Sequence, residues 1–136
     1  LSAMTLGAKG VQIGSRFVAS IESSAHQAFK AEVLKAKDGA TQLTLKELTP
    51  VRLLKNKFYQ DVVRLYQSHP TQEDLKKLLG RARAKKGMFD GDLEEGELEI
   101  GQIAGLIDDI LPVKEIIEQI ITEFNIASKE MSNLKL

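Results

Sequence analysis

Cysteine and tryptophan are absent, proline occurs three times, aromatic residues make up 5% of the chain, and charge of neither sign prevails, with 19 basic and 19 acidic residues. Without cysteine there is no disulfide framework and no thiolate metal site, which suits a reducing compartment. Without net charge there is no overall field drawing the chain to nucleic acid or to an anionic membrane, so partners must be chosen by local sites. No stretch approaches the roughly 18 consecutive apolar residues of a membrane span, and Leu1 to Gly7 is too short for the apolar region of a signal peptide. The expectation is a soluble, cytoplasmic chain with neither nucleic acid nor membrane as a partner. Its 136 residues are one domain's length, enough to bury roughly 68–70% of the unfolded surface.

Apolar periodicity is the main structural signal. Leu1, Ala3, Met4 and Leu6, closed by Gly7, read as two helical turns with a glycine stop. Val11-Gln12-Ile13 alternates and reads as a strand over about 10–14, running into Gly14-Ser15. Phe29, Val33 and Leu34 share a helical face within about 24–37, stopped by Asp38-Gly39, and Gln42 to Leu45 alternates weakly. Thr49-Pro50 is a helix-start signal, and Val51, Leu54, Phe58, Val62, Leu65 and Tyr66 extend it to His69-Pro70. Thr71 and Asp74 form a capping pair ahead of Leu75, Leu78 and Leu79. Gly101 and Gly105 lie four apart in a helical reading of Leu98 to Ile107, a spacing that lets another backbone come close. The firmest helix begins after Leu111-Pro112, with Val113, Ile116, Ile117, Ile120, Ile121 and Phe124 on one stripe; the tail from Ser128 is expected to fray. The sum is one strand and about five helices.

The stretch GVQIGSRFVAS, residues 10–20, carries the chemistry. A strand that runs into Gly-Ser leaves successive amides unpaired, and a helix starting there aims its dipole at the same spot, a favourable seat for a phosphate. Ser15 adds a hydroxyl. The same residues also suit a plain structural turn, which is the commoner use of such a sequence.

Other groups point to ordinary roles. His26 and His69 are far apart and have no carboxylate cluster, so neither a metal site nor a catalytic triad is expected. Six basic residues between Lys76 and Lys86 are followed by Asp90, Asp92, Glu94, Glu95, Glu97 and Glu99, so the two fields cancel within a Debye length of about 10 Å. That acidic run lacks the ligand spacing of a calcium loop. Arg16 and Phe17 read as a structural ion pair and a core residue.

The stretches LGAKGVQIGSRFVASIESSAHQAFKAEVLKA and EEGELEIGQIAGLIDDILPVKEII, in this order, resemble the nitronate monooxygenase (2-nitropropane dioxygenase) family and its relative, the flavin-dependent enoyl-acyl-carrier-protein reductases. The resemblance implies an α/β parent fold, a (β/α)8 TIM barrel. Residues 1–136 would be a C-terminal segment of its single FMN-binding domain: the last barrel strand at about 10–14 and a helical region over about 24–131. It implies FMN as cofactor, with Gln12, Gly14 and Ser15 on the FMN phosphate, serine standing where the family more often has threonine. No catalytic residue is expected in this chain. The implied reaction is flavin oxidation of an alkyl nitronate, a small-molecule substrate; the alternative is NAD(P)H-dependent reduction of an enoyl thioester. A reading of another class, a free-standing helical interaction module, needs only the amphipathic stripes.

Overall fold

The structure is a computed structural model and describes residues 1–134; Lys135 and Leu136, the end of the tail expected to fray, lie outside the described residues. Short helices α1 (Ser2–Thr5) and α2 (Ser15–Val18) precede α3 (Gln27–Lys35), a hairpin of β1 (Thr41–Thr44) and β2 (Val51–Leu54), α4 (Lys57–Tyr66), α5 (Gln72–Leu79), α6 (Arg83–Met88), a 3-10 helix at Gln102–Leu106, and α7 (Val113–Ser132).

The hairpin organises the packing. β1 and β2 pair antiparallel, with Thr41 opposite Leu54 and Thr44 opposite Val51. Neighbouring strand residues point to opposite faces, so Leu53 and Leu54 feed two different cores. Leu54 joins Phe29, Val33, Leu98, Ile100 and Ile107. Leu53 joins Leu45, Phe58, Val62 and Leu75. Residues 98–100 lie along the outer edge of β2: the Leu54 amide donates to the Leu98 carbonyl (3.0 Å), and the Ile100 amide to the Arg52 carbonyl (3.1 Å).

Residues 10–14 carry no assigned strand, because a strand is defined by its ladder and the amides of this segment donate to no described residue. Other expectations are corrected. The segment Val51 to Leu54 is a strand rather than the start of a helix. The helix starts at Lys57 because the Asn56 carboxamide oxygen accepts from the Tyr59 amide (3.0 Å). Leu98 to Ile107 is not one helix: Leu98 and Ile100 are buried in alternation beside β2, and only Gln102–Leu106 coils, as a 3-10 turn. The helix expected from residue 24 begins after His26, whose ring nitrogen accepts from the Ala28 amide. The opening helix has a single turn, with Gly7 just beyond it at φ +97. α7 holds through Ser132, so the tail is helical from Ser128 to Ser132. The Thr71–Asp74 capping box is present as expected.

Two glycine contacts explain three of the six glycines between residues 80 and 105. A Cβ on Gly96 would fall 2.2 Å from the Gly87 Cα, so those two backbones touch. One on Gly105 would meet the Lys37 backbone at 3.2 Å, the close approach expected from the Gly101/Gly105 spacing. The basic and acidic runs pair with each other, through Arg83–Glu95 and Lys86–Asp92, as a charge match within the chain.

Candidate functional site

The turn at residues 12–15 sits where α2 begins. Gln12 and Gly14 are exposed and Ser15 is half-buried. The Gly14 carbonyl accepts from the amides of Phe17 (2.9 Å) and Val18 (3.2 Å), which closes the single turn of α2. The amides of Gln12, Ile13, Gly14, Ser15 and Arg16 donate to no described residue, leaving a run of free donors around an exposed glycine. Gly14 has an ordinary φ of −105, and a Cβ built on it meets nothing within 4 Å. Nothing in the chain itself therefore demands glycine here, whereas an anion drawn against these amides would.

The Ser15 hydroxyl oxygen accepts from the Gly101 amide (2.9 Å), and its own hydrogen stays free to donate. The contact explains Gly101 as well, since a Cβ there would come within 2.6 Å of Ser15 Oγ. Thus Ser15 ties the turn to the second of the two sequence blocks, 86 residues away.

Behind the turn, Arg16 anchors α2. Its guanidinium donates to the Ala19 and Asp109 carbonyls (3.2 Å each) and pairs with the Asp109 carboxylate, as expected of an ion-pair residue. Phe17, expected in the core, is half-buried beside it. A groove of about 430 Å³ adjoins the turn, lined by Ile13, Arg16, Leu106, Asp109, Ile116 and Ile120 among others. Beyond α2, the chain passes through residues 20–23, which knot three elements together. Ser20 Oγ donates to the Phe17 carbonyl (2.8 Å), the Ile21 amide donates to the Leu111 carbonyl (3.0 Å), and the Glu22 carboxylate accepts from the Val113 amide at the start of α7 (2.9 and 3.1 Å).

Sequence reasoning missed Lys30, which lies on α3 and is fully buried with its ammonium among the carbonyls of residues 20–23. The signal was present: Lys30 precedes Val33 by three and Leu34 by four, so a helical wheel puts a lysine on the apolar face. The two histidines stay apart in role. His26 caps α3, with its ring against the Gly91 backbone, and His69 ends a loop at φ +52. Among the described residues no group of three or more histidine or carboxylate side chains is placed to hold a metal, and no helix is long and apolar enough to cross a membrane.

The nitronate monooxygenase family model matches residues 1–123, a span that takes in the turn, the Ser15–Gly101 tie and the Arg16–Asp109 pair. The chain belongs to the nitronate monooxygenase family. It is similar to a probable nitronate monooxygenase of Bacillus subtilis, 29% identical over 90% of this chain and 35% of that protein. It is also similar to an indene-carboxyl-CoA dehydrogenase of Mycobacterium tuberculosis, 26% identical over 90% of this chain and 45% of that protein. Among solved structures it matches FabK from Thermotoga maritima with a TM-score of 0.84 and 37% identity, covering 96% of this chain and 42% of that one. The family and FabK are TIM-barrel, flavin-dependent proteins, and this chain corresponds to part of that fold. It spans less than half the length of each of these relatives.

Proposed function

We propose that this chain supplies the phosphate-holding part of an FMN-dependent oxidoreductase. The carrying observation is the run of free amides from Gln12 to Arg16 around an exposed Gly14. In this reading Gln12, Gly14 and Ser15 hold the FMN phosphate: the Gly14 and Ser15 amides donate to it, and the Ser15 hydroxyl donates while its oxygen stays on the Gly101 amide. Residues 10–14 then form the last strand of the barrel, and residues 1–136 belong to a single FMN-binding domain. FMN, when bound, supplies the electron transfer. The residues described here bind and orient; the Arg16–Asp109 pair keeps α2, and with it the turn, in place.

For the whole protein, the reaction proposed is oxidation of an alkyl nitronate, supported by the family match and by the likeness to a probable nitronate monooxygenase of Bacillus subtilis. The second reading is a flavin- and NAD(P)H-dependent enoyl-acyl-carrier-protein reductase, favoured by the likeness to FabK. Family membership favours either over the interaction-module reading.

Gly14→Ala in the full-length protein tests the site. The new methyl meets nothing within 4 Å and the backbone angle is ordinary, so the melting temperature is expected to stay unchanged. FMN affinity, read by flavin fluorescence quenching, is expected to fall by about tenfold or more, the loss of roughly one charge-assisted hydrogen bond. Unchanged affinity would remove the phosphate from this turn. Turnover with an alkyl nitronate, set against turnover with a crotonyl thioester and NADH or NADPH, separates the two reactions.

A further inference from the structure

Lys30 is a buried ammonium with no acid beside it. Its side chain is wholly enclosed, and no described carboxylate lies within salt-bridge distance, since none of the ion pairs includes it. In place of an acid, Nζ donates to the carbonyls of Ser20 (2.6 Å) and Ser23 (2.8 Å), with the Ile21 carbonyl at 3.5 Å. Enclosing a charge is unfavourable unless dipoles replace its water, and here a single bend of backbone turns its carbonyls inward to do so.

That bend is the knot following α2. Ser20 donates back to the Phe17 carbonyl through its hydroxyl, and the Ser23 amide donates back to Ser20 Oγ (3.2 Å). Glu22, between the two carbonyls Lys30 holds most closely, caps the start of α7. The ammonium thus holds a segment that bonds both to α2, through the Phe17 carbonyl, and to the start of α7, through the Val113 amide. Removing the charge would leave carbonyls turned into a space with no donor and release the far end of the four-residue helix whose near end is the Gln12–Ser15 turn.

We propose that Lys30 is a positioning residue for the phosphate turn: its ammonium, held by the carbonyls of Ser20 and Ser23, sets the turn's amides for the flavin phosphate. The inference rests on the phosphate reading above and deepens it. Lys30 touches no flavin in this account; it acts through α2.

The test compares FMN with riboflavin, which lacks the phosphate, by fluorescence titration of the full-length protein. The wild type is expected to bind FMN at least tenfold more tightly than riboflavin. Lys30→Met is expected to erase most of that ratio while leaving riboflavin affinity within about twofold, and Lys30→Ala is expected to recover it in the presence of ethylammonium but not of choline, which is too large and has no N–H to donate. A wild type that shows no preference for FMN sinks the phosphate reading itself. A wild type with the preference and a Lys30→Met protein that keeps it overturns the role of Lys30 alone. Equal loss of both affinities would make Lys30 an ordinary fold residue and likewise overturn the proposal. If Lys30→Met does not fold, the ethylammonium dependence of the Lys30→Ala ratio decides, and no recovery counts against the proposal.

Discussion

Glu97 shows what enclosure does to a single side chain. It is buried beside Arg83, and the loss of water pushes its carboxyl from 4.5 up to about 7, with Glu99 adding repulsion and Arg83 opposing both. Because the pKa is raised in the folded state, the folded chain holds a proton across this window that the unfolded chain has released. Stability therefore falls as pH rises from 4.5 towards 7, and the full cost stands above it. Glu97→Gln removes the titration and leaves the backbone bond from the residue 97 amide to the Arg83 carbonyl. The expected result is a gain of about 1–3 kcal/mol in urea unfolding near pH 8 and none near pH 4. An equal gain at both pH values would mean that packing, not ionisation, is responsible.

Among the elements, Asn56 marks the change from strand to helix. Its carboxamide oxygen caps α4, and its Nδ2 donates to the carbonyls of Leu93 (2.8 Å), Glu94 (3.2 Å) and Gly96 (2.8 Å), so one side chain joins the hairpin, α4 and the glycine-rich loop. Asn56→Ala is expected to cost about 2–4 kcal/mol, a lost cap of about 1 kcal/mol plus carbonyls left without donors. Asn56→Asp keeps the cap acceptor but turns an oxygen toward those carbonyls, so it is expected to cost at least as much; if aspartate restores wild-type stability by thermal melting, capping alone matters. The same residue shows why this region was hard to read. Val51, Leu54 and Phe58 fit a helical stripe as well as a strand followed by a helix, and the donors that decide between them are bonded 37 to 40 residues away. Local signals fared better: the Thr71–Asp74 box, the Gly7 stop, and the weak alternation that became β1 need only neighbours in sequence, although the helix expected to stop at Asp38-Gly39 already ends at Lys35. The turn at Gln12–Ser15 could be proposed from its residue pattern, whereas for Lys30 the sequence offered only a lysine on an apolar helix face, and its partners are backbone carbonyls that no residue pattern announces.

At the scale of the whole molecule, the described residues leave several large apolar side chains uncovered. Val11 (63%) and Leu106 (79%) stand in solvent, and so do Ile103 beside the groove and Ile117 and Ile121 on α7, whose buried residue is Ile116. Ile13, Ile103 and Leu106 line one groove; an exposed apolar surface marks a place that pairs with something, and a net charge of zero supplies no repulsion between copies. Residues 1–136 expressed alone are therefore expected to bind an apolar fluorescent dye strongly and to self-associate as concentration rises, measured by dye titration and sedimentation velocity. Leu106→Lys with Ile103→Lys places charges on that surface without touching either core. The double variant is expected to lose most of the dye signal and shift toward monomer at an unchanged melting temperature, since both side chains are already exposed. A wild-type chain that stays monomeric and silent to dye would mean that this surface is tolerated in water, and would return weight to the reading of a free-standing helical module.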